Sequence, residues 1–522
     1  MKRILVLACL AAAACGERPE AWDAPVTSIT AVGLEGSLAL VDDGAHRVVM
    51  ARPTADLELL RTSVTVGKGV VNVKASADQK RLFVLSTGDV PKKKQDDQGP
   101  SLTVVDDGGQ VSRRIELPTP LSGLALDPAG RWAVIFPGGD GRAFVENPNQ
   151  LVFVDLTAAP EKAVTFRTLR SFGGRPQRLT FTPELTLPGG KRHLLVVETD
   201  QDVSILDLEH VQDTPERPEI TVRLSNGLST RSLKPAGVVA DDGEVSKSDD
   251  ARIAVRIADD SNVFMLTLAP NPAGSTAPND FTPLVNLADV GGIASDITFL
   301  RTDGGLRLAA LVPQTKQAVL VEPGTSVTTA VDLPAAYQRV SLVTDQVAPG
   351  GTGDVALLYG STTSVAFWAL GRTSGQPYRS VEVVNIAGGA AQVSSLPAPN
   401  QDLKVLSSSG TGFYVLNLKS RTASPLTTLQ TARVVPSADG LRLWAFGPGT
   451  TNLAQIPVSN LAPLPLPLER PIRDVFDLKR TDGGRALLAL DTRGTTGVTV
   501  LDAEAPDLRT ARSFFGLLQE GL

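Results

Sequence analysis

The sequence predicts an all-β chain made of repeated four-stranded antiparallel units, and three observations lead there. Short runs rich in Val, Leu and Ile recur along all 522 residues, separated by turns carrying many of the 47 Gly and 37 Pro. Such runs between turn residues at regular spacing are the mark of strands. Sustained apolar spacing at i, i+3, i+4 and i+7, which a helix needs to bury one face, is hard to find. The runs also repeat at about 40 to 60 residues, near the length of one four-stranded blade in a radial repeat protein.

Taken element by element, a unit reads as an alternating run, an Asp- or Gly-rich turn, a short apolar run, a polar turn, a second apolar run often ending in Asp, and a last strand. Between Ser295 and Leu333, the run Asp296-Ile297-Thr298-Phe299 leads to the turn Asp303-Gly304-Gly305. Leu308 to Val312, Ala318 to Val321 and Thr329 to Leu333 follow. Between Arg473 and Asp502 the pattern returns as Val475-Phe476, Asp482-Gly483-Gly484, Leu487 to Leu490 and Val498 to Asp502.

The central apolar run recurs as Leu38 to Val41, Leu82 to Leu85, Trp132 to Ile135, Leu194 to Val197 and Ile253 to Val255. It continues as Leu308 to Leu311, Val355 to Leu358, Leu403 to Leu406, Leu443 to Phe446 and Leu487 to Leu490. The run after it is plain in Leu102 to Asp106, Leu151 to Asp155 and Val203 to Asp207. A small sheet with two apolar faces cannot bury both alone, and face-to-face stacking around an axis buries them and protects the edges.

The expected fold is therefore a β-propeller of four-stranded antiparallel blades, with about 7–10 units on the blade template. It forms either one large ring or two packed propellers. The Pro-rich stretch from Pro457 to Pro471 is the best candidate linker, although only one unit follows it. These runs and turns resemble the YVTN or NHL-like class of bacterial propeller repeats over nearly all of the chain. That resemblance implies architecture and says little about activity.

The N-terminus carries an address. Met1-Lys2-Arg3 is basic, and Ile4 to Ala14 is an apolar run too short to span a bilayer, which needs about 20 residues. This is the layout of a signal peptide. The segment Ala11-Ala12-Ala13-Ala14-Cys15-Gly16 resembles a bacterial lipobox, with Ala12 where Leu is commoner. The resemblance implies cleavage before Cys15 and fatty acylation (palmitate or a similar chain) of its thiol and new N-terminus. The only two cysteines, Cys9 and Cys15, lie in this leader, so the mature chain keeps one thiol and no disulfide. Acylation accounts for that lone cysteine. Residues 1–14 are thus read as a lipoprotein signal peptide, 15–25 as the acylated cysteine with a short tether, and 26–522 as the repeat region. Gly16 resembles the outer-membrane sorting pattern, which implies an envelope lipoprotein of the outer membrane, periplasmic or surface-exposed.

Chemistry is sparse. A net charge of −6 argues against nucleic acid as a partner. His46, His193 and His210 fall in different units and lack metal-ligand spacing. Turns such as Asp42-Asp43-Gly44, Asp106-Asp107-Gly108 and Asp259-Asp260-Ser261-Asn262 do not alternate ligands as a calcium loop does, and Asp and Gly are what tight turns demand. The stretch Asp241 to Asp250, with Glu244 and Asp249, is the nearest approach to a cation site. No Gly-x-Ser-x-Gly elbow or phosphate-cradling glycine loop is present. Trp22, Trp132, Trp368 and Trp444 are scattered and do not form the repeated Trp docking motifs of quinoprotein propellers. No cofactor, metal or catalytic set is expected.

Two function classes remain. The first is a binding or scaffolding propeller that meets the membrane through its lipid and a protein partner through a loop face. The alternative is a periplasmic or surface hydrolase or lactonase, with acidic residues around a metal-bearing channel. Acidic side chains converging on the axis favour the enzyme, whereas small and apolar ones favour the binder. Two long insertions between second and third strands, Ser86 to Ser101 and Phe136 to Gln150, stand in consecutive units and are expected to rise side by side. They place Lys92, Lys93 and Lys94, with Arg142 and Phe144, at the expected partner-binding sector.

Overall fold

The computed structural model describes residues 29–138, 146–170, 174–213, 217–225, 233–241, 251–347, 353–373, 376–378, 380–408, 412–426, 433–492 and 497–518. These residues form ten four-stranded antiparallel sheets arranged as the blades of a β-propeller. Blades 1 to 10 span 29–65, 70–116, 123–168, 176–223, 235–289, 296–332, 339–385, 390–426, 433–465 and 472–514. Helix among the described residues is confined to two short 3-10 turns, Pro160–Lys162 and Leu208–His210.

Within each blade the strands pair in chain order, first to fourth. Blade 4 adds a small hairpin, Leu185–Leu187 with Gly190–Arg192, between its first and second strands. Blade 7 adds a short strand pair, Arg372–Thr373 with Gln376–Pro377, between its third and fourth. All ten central apolar runs read from the sequence fall on second strands, from Leu38–Asp42 in blade 1 to Arg485–Asp491 in blade 10. The units thus number ten, the upper end of the expected range.

Burial follows strand position. Second and third strands are buried almost throughout, as in Leu194–Thr199 and Ser364–Ala369. Fourth strands are largely exposed, as in Leu59–Thr65 and Thr328–Asp332. First strands are half-buried, as in Val70–Ala75 and Pro235–Ala240. First strands of successive blades also approach one another, blade 5 to 6 and 6 to 7, and blade 10 to 1 and 1 to 2. They are therefore the inner strands.

The core lies between blades. In Leu194–Thr199, Leu194 and Val196 pack into a cluster shared with blade 5, while Leu195 and Val197 pack into one shared with blade 3. In blade 6, Ala309 and Leu311 pack towards blade 7, and Leu308, Ala310 and Val312 towards blade 5. A period of two sends successive side chains to opposite faces, so a blade with both faces apolar is stable only between two neighbours. Trp132, Trp368 and Trp444 are fully buried in this core.

The chain forms two compact units. Unit 1 holds blades 10, 1 and 2 with the strand Gly123–Leu126, and unit 2 runs from Asp127 to Glu469 apart from Asp140–Glu146. In unit 1 the last blade packs on the first: Leu478, Leu488 and Val500 share a cluster with Leu38, Leu40 and Val49. The Lys479 amide donates to the Glu35 carbonyl at 2.8 Å, and the Arg512 guanidinium pairs with Glu58. The Pro-rich stretch from Pro457 to Pro471 spans the outer strand of blade 9, and unit 2 ends within it at Glu469.

Candidate functional site

The Lys-bearing insertion lies between the second and third strands of blade 2, as its sequence implies. Lys92, Lys93 and Lys94 are exposed. The loop is tied by its own acidic side chains. Asp97 Oδ2 accepts the amides of Lys93 and Lys94 at 2.8 Å each, and Asp89 Oδ2 accepts the Gln98 amide at 2.8 Å. The two amide donors hold the Asp97 carboxyl below the usual carboxylate range. The loop thus presents three ammonium groups on a closed turn. Arg142 and Phe144 in the second insertion lie outside the described residues, as do Cys15 and the leader.

The Asp-rich turns are structural. Asp155 Oδ1 accepts the Thr157 and Ala158 amides, and Asp502 Oδ1 those of Glu504 and Ala505. An Asp closing the third strand therefore caps the turn into the fourth by the Asx geometry that these residues favour. Asp107 ties blade 2 to blade 1, accepting the Gly36 amide at 3.0 Å and the Ser37 hydroxyl at 2.6 Å. His193 Nδ1 lies 3.2 Å from the Thr182 carbonyl, and His210 Nδ1 lies 2.8 Å from Asp213. No group of three metal-ligating side chains occurs among the described residues. Asp241 is buried beside Arg252, at 4.0 Å, and the rest of the stretch to Asp250 lies outside the described residues.

The inner strands carry a feature that sequence reading missed. In unit 2 an alternating series of charges runs across blades 4 to 7, where first strands start and second strands end. Arg178, on the inner strand of blade 4, has Nη1 3.7 Å from Glu198 Oε1 on the adjacent strand. Glu198 is 2% exposed, and its Oε1 is buried without a hydrogen-bond partner. It falls on the same face as Leu194 and Val196, towards blade 5. There Arg256 donates through Nη2 to the Ala236 carbonyl at 2.6 Å and through Nη1 to the Ala294 carbonyl at 3.0 Å. Asp296, which opens blade 6, accepts the Val340 amide at 3.0 Å, and Arg339 Nη1 stands 3.9 Å from its other oxygen. Arg339 pairs across the ladder with Tyr359.

Local backbone explains part of this placement. The inner strands of blades 4 and 5 are bulged between Pro176 and Arg178 and between Pro235 and Gly237. A bulge adds a residue and re-aims its neighbours. The bulged Ala236 carbonyl takes hydrogen bonds from Arg256 and, at 3.3 Å, from Arg178. Burial pushes the Glu198 and Asp296 carboxyls above the usual range against the pull of nearby arginines. Burial also draws Arg256 below the usual guanidinium value. One sequence signal pointed here: Glu198 interrupts the apolar alternation of Leu194 and Val196 in a central strand.

Elsewhere several inner strands are small and apolar with isolated polar groups, whereas Ile472–Lys479 of blade 10 carries Arg473, Asp474, Asp477 and Lys479. Lys74 Nζ donates to the Leu124 carbonyl at 2.6 Å, and Asn72 to the Ser122 carbonyl at 3.2 Å. Comparison with protein-family models finds no match, and no curated protein matches. Among solved structures, dihydro-heme d1 dehydrogenase NirN in complex with DHE is 11% identical, with a TM-score of 0.41, covering 87% of this chain and 81% of that chain. A eukaryotic initiation factor is 11% identical, with a TM-score of 0.40, covering 76% of this chain and 86% of that chain. BBS1N in complex with ARL6DN is 9% identical, with a TM-score of 0.30, covering 76% of this chain and 89% of that chain. At this likeness no activity, ligand or partner passes from them to this chain.

Proposed function

We propose that this chain is an envelope lipoprotein that acts as a binding or scaffolding propeller, tethered to the outer membrane through Cys15. The observation that carries the binding half is the make-up of the inner wall. Its strands carry small and apolar side chains with single charges between them, as in Pro235–Ala240 and residues 339–343, and the carboxylates Glu198 and Asp296 each face an arginine rather than one another. That wall suits capture of a partner better than hydrolysis at a metal, which needs three or four clustered ligands. The anchoring half rests on the basic start, the short apolar run and the small residues before Cys15. One acyl chain binds a membrane only marginally, so stable anchoring calls for the multiple chains that a lipoprotein cysteine receives.

Membrane fractionation tests the anchor. Cys15→Ser is expected to move the protein from the membrane to the soluble fraction. A variant processed normally and still membrane-bound sinks the lipoprotein reading. Crosslinking and recovery of the acylated protein from native membranes tests the partner. The reading expects one protein to be recovered with the wild type in constant proportion.

A further inference from the structure

We propose that the face of unit 1 carrying the loop between Ser86 and Ser101 lies against an anionic phospholipid surface, with Lys92, Lys93 and Lys94 among the lipid phosphates. The inference rests on the anchor reading and adds which way the body is turned.

The root of the tether and the lysines share one face. Ile29, where the first strand starts, pairs with Asp42 at the end of the second, and Asp42 pairs with Arg47 at the start of the third. In blade 2 the same edge is Val70, Ser86 and Ser101. The two edges are joined directly. Asp43 Oδ1, in the blade 1 turn, accepts the Val70 amide at 2.9 Å, and the His46 carbonyl accepts the Val66 amide at 2.8 Å. The lysine loop leaves this edge at Ser86 and returns to it at Ser101. Fourteen residue steps separate Cys15 from Ile29, a reach of at most about 50 Å. A chain anchored at Cys15 is therefore drawn to the bilayer by this face.

The chemistry of the face suits anionic headgroups. Asp97 turns its carboxylate to the Lys93 and Lys94 amides, and Asp89 pairs with Lys68 at 3.3 Å. Asp96 is left in the loop to oppose three exposed lysines, whose ammonium groups form no ion pair among the described residues. Cations at the opposite ends of the strands are used otherwise: Lys479 pairs with Glu35 at 3.5 Å and Arg480 with Asp502 at 3.0 Å. Exposed apolar side chains accompany the lysines. Val90 lies in the loop itself, and Phe515 follows Phe514 on the corresponding edge of blade 10, with the Arg470 guanidinium 4.0 Å from its ring centre. A membrane-surface contact combines these two elements, apolar area and attraction to anionic lipid. Three lysines do not anchor a protein alone, and here they set its orientation.

The test adds full-length acylated protein to preformed phosphatidylcholine vesicles with or without phosphatidylglycerol, and an amine-reactive label read by mass spectrometry reports each lysine. On anionic vesicles Lys92, Lys93 and Lys94 should label about tenfold more slowly than in detergent, since each lysine near an anionic surface favours contact roughly fivefold. Lys80, exposed in the opposite loop of blade 2, should label as before. High salt or neutral vesicles should remove the protection. Lys93→Glu should restore labelling of Lys92 and Lys94 on anionic vesicles. The wild-type measurement needs no variant, so a folding defect in Lys93→Glu leaves the test intact. Lysines that label on anionic vesicles as fast as in detergent overturn this inference alone, and that is the result expected of a loop serving a protein partner. Equal protection of Lys80 overturns it as well, because no face is then selected. A chain that binds neither vesicle overturns the anchor and the orientation together.

Discussion

Two charged insertions in this molecule do different things. The hairpin of blade 4, Leu185–Leu187 with Gly190–Arg192, is part of the core. Leu185 and Leu187 are 0% and 4% exposed and pack with Val255 and Phe264 of blade 5. Arg192 binds Asp207, Asp280 and the Pro188 carbonyl. Asp280 in turn meets Arg217, and Asp213 joins Arg217 to His210. Gly189 turns the hairpin at a φ of +87°, where a Cβ would run into the Arg192 guanidinium. The blade 2 loop between Ser86 and Ser101 buries little. Its tip is tied by its own Asp97, its base is held to Lys68 through Asp89 and Gln98, and its lysines face water. Charge in an insertion therefore says nothing about role until burial is known. A desolvated, doubly paired arginine holds structure, and an exposed lysine run leaves structure alone.

The largest expected effect is on the hairpin side. Arg192→Met leaves the 5%-exposed Asp207 without its cation and should cost about 3–5 kcal/mol, the range for breaking one partner of a buried pair. Chemical denaturation measures it, and a loss under about 1 kcal/mol, the scale of an exposed pair, would erase the contrast with the loop.

Acid sharpens the comparison. The Arg192 hydrogen bond and charge hold Asp280 below its ordinary value of 3.8. A depressed carboxyl contributes stability above its unfolded value and loses it as pH falls through the folded one. Asp280→Asn should therefore destabilise at pH 7, by no more than about 1 kcal/mol for a carboxylate this exposed. The difference from wild type should close as pH drops below 3.8. A gap that persists in acid would assign the effect to packing instead of charge.

The smallest effects belong to the loop. Replacing the segment between Ser86 and Ser101 with a four-residue turn should change stability by less than about 1 kcal/mol, since closure entropy varies slowly with length. Lys92→Ala, Lys93→Ala and Lys94→Ala together should stay within about 0.5 kcal/mol. If the loop is the partner contact, co-recovery from membranes falls in both variants while melting stays put. Unchanged recovery removes the loop from the binding face.

Much of the fold was legible because its determinants are local. Leu38 to Val41 and Leu487 to Leu490 read as central strands from apolar content and flanking turns alone, and both are buried second strands. Asp155 and Asp502 read as residues closing an apolar run before a turn, and they act as such, since a short carboxylate caps the next amides. The inner-wall series was not legible. Arg178, Glu198, Arg256, Asp296 and Arg339 share no motif, and each alone reads as an ordinary surface charge. Only Glu198 broke a pattern, and one charge in an apolar strand does not name its neighbours.

The sequence by itself determined the strand repeat, the four-strand unit and the turn chemistry, and it bounded the count at about 7–10 units, of which the structure has ten. Each depends on residues within one hairpin of each other, where the period of two and the demands of φ act directly. The tertiary structure alone decided which side chains meet. Packing blades face to face lines up inner strands that are distant in the chain, so Arg256 of blade 5 reaches the Ala294 carbonyl at the entry to blade 6, and Asp296 comes to lie beside Arg339. It also decided which charged insertion is desolvated and which is not. Burial and partnership come from packing between blades, and no local pattern records it.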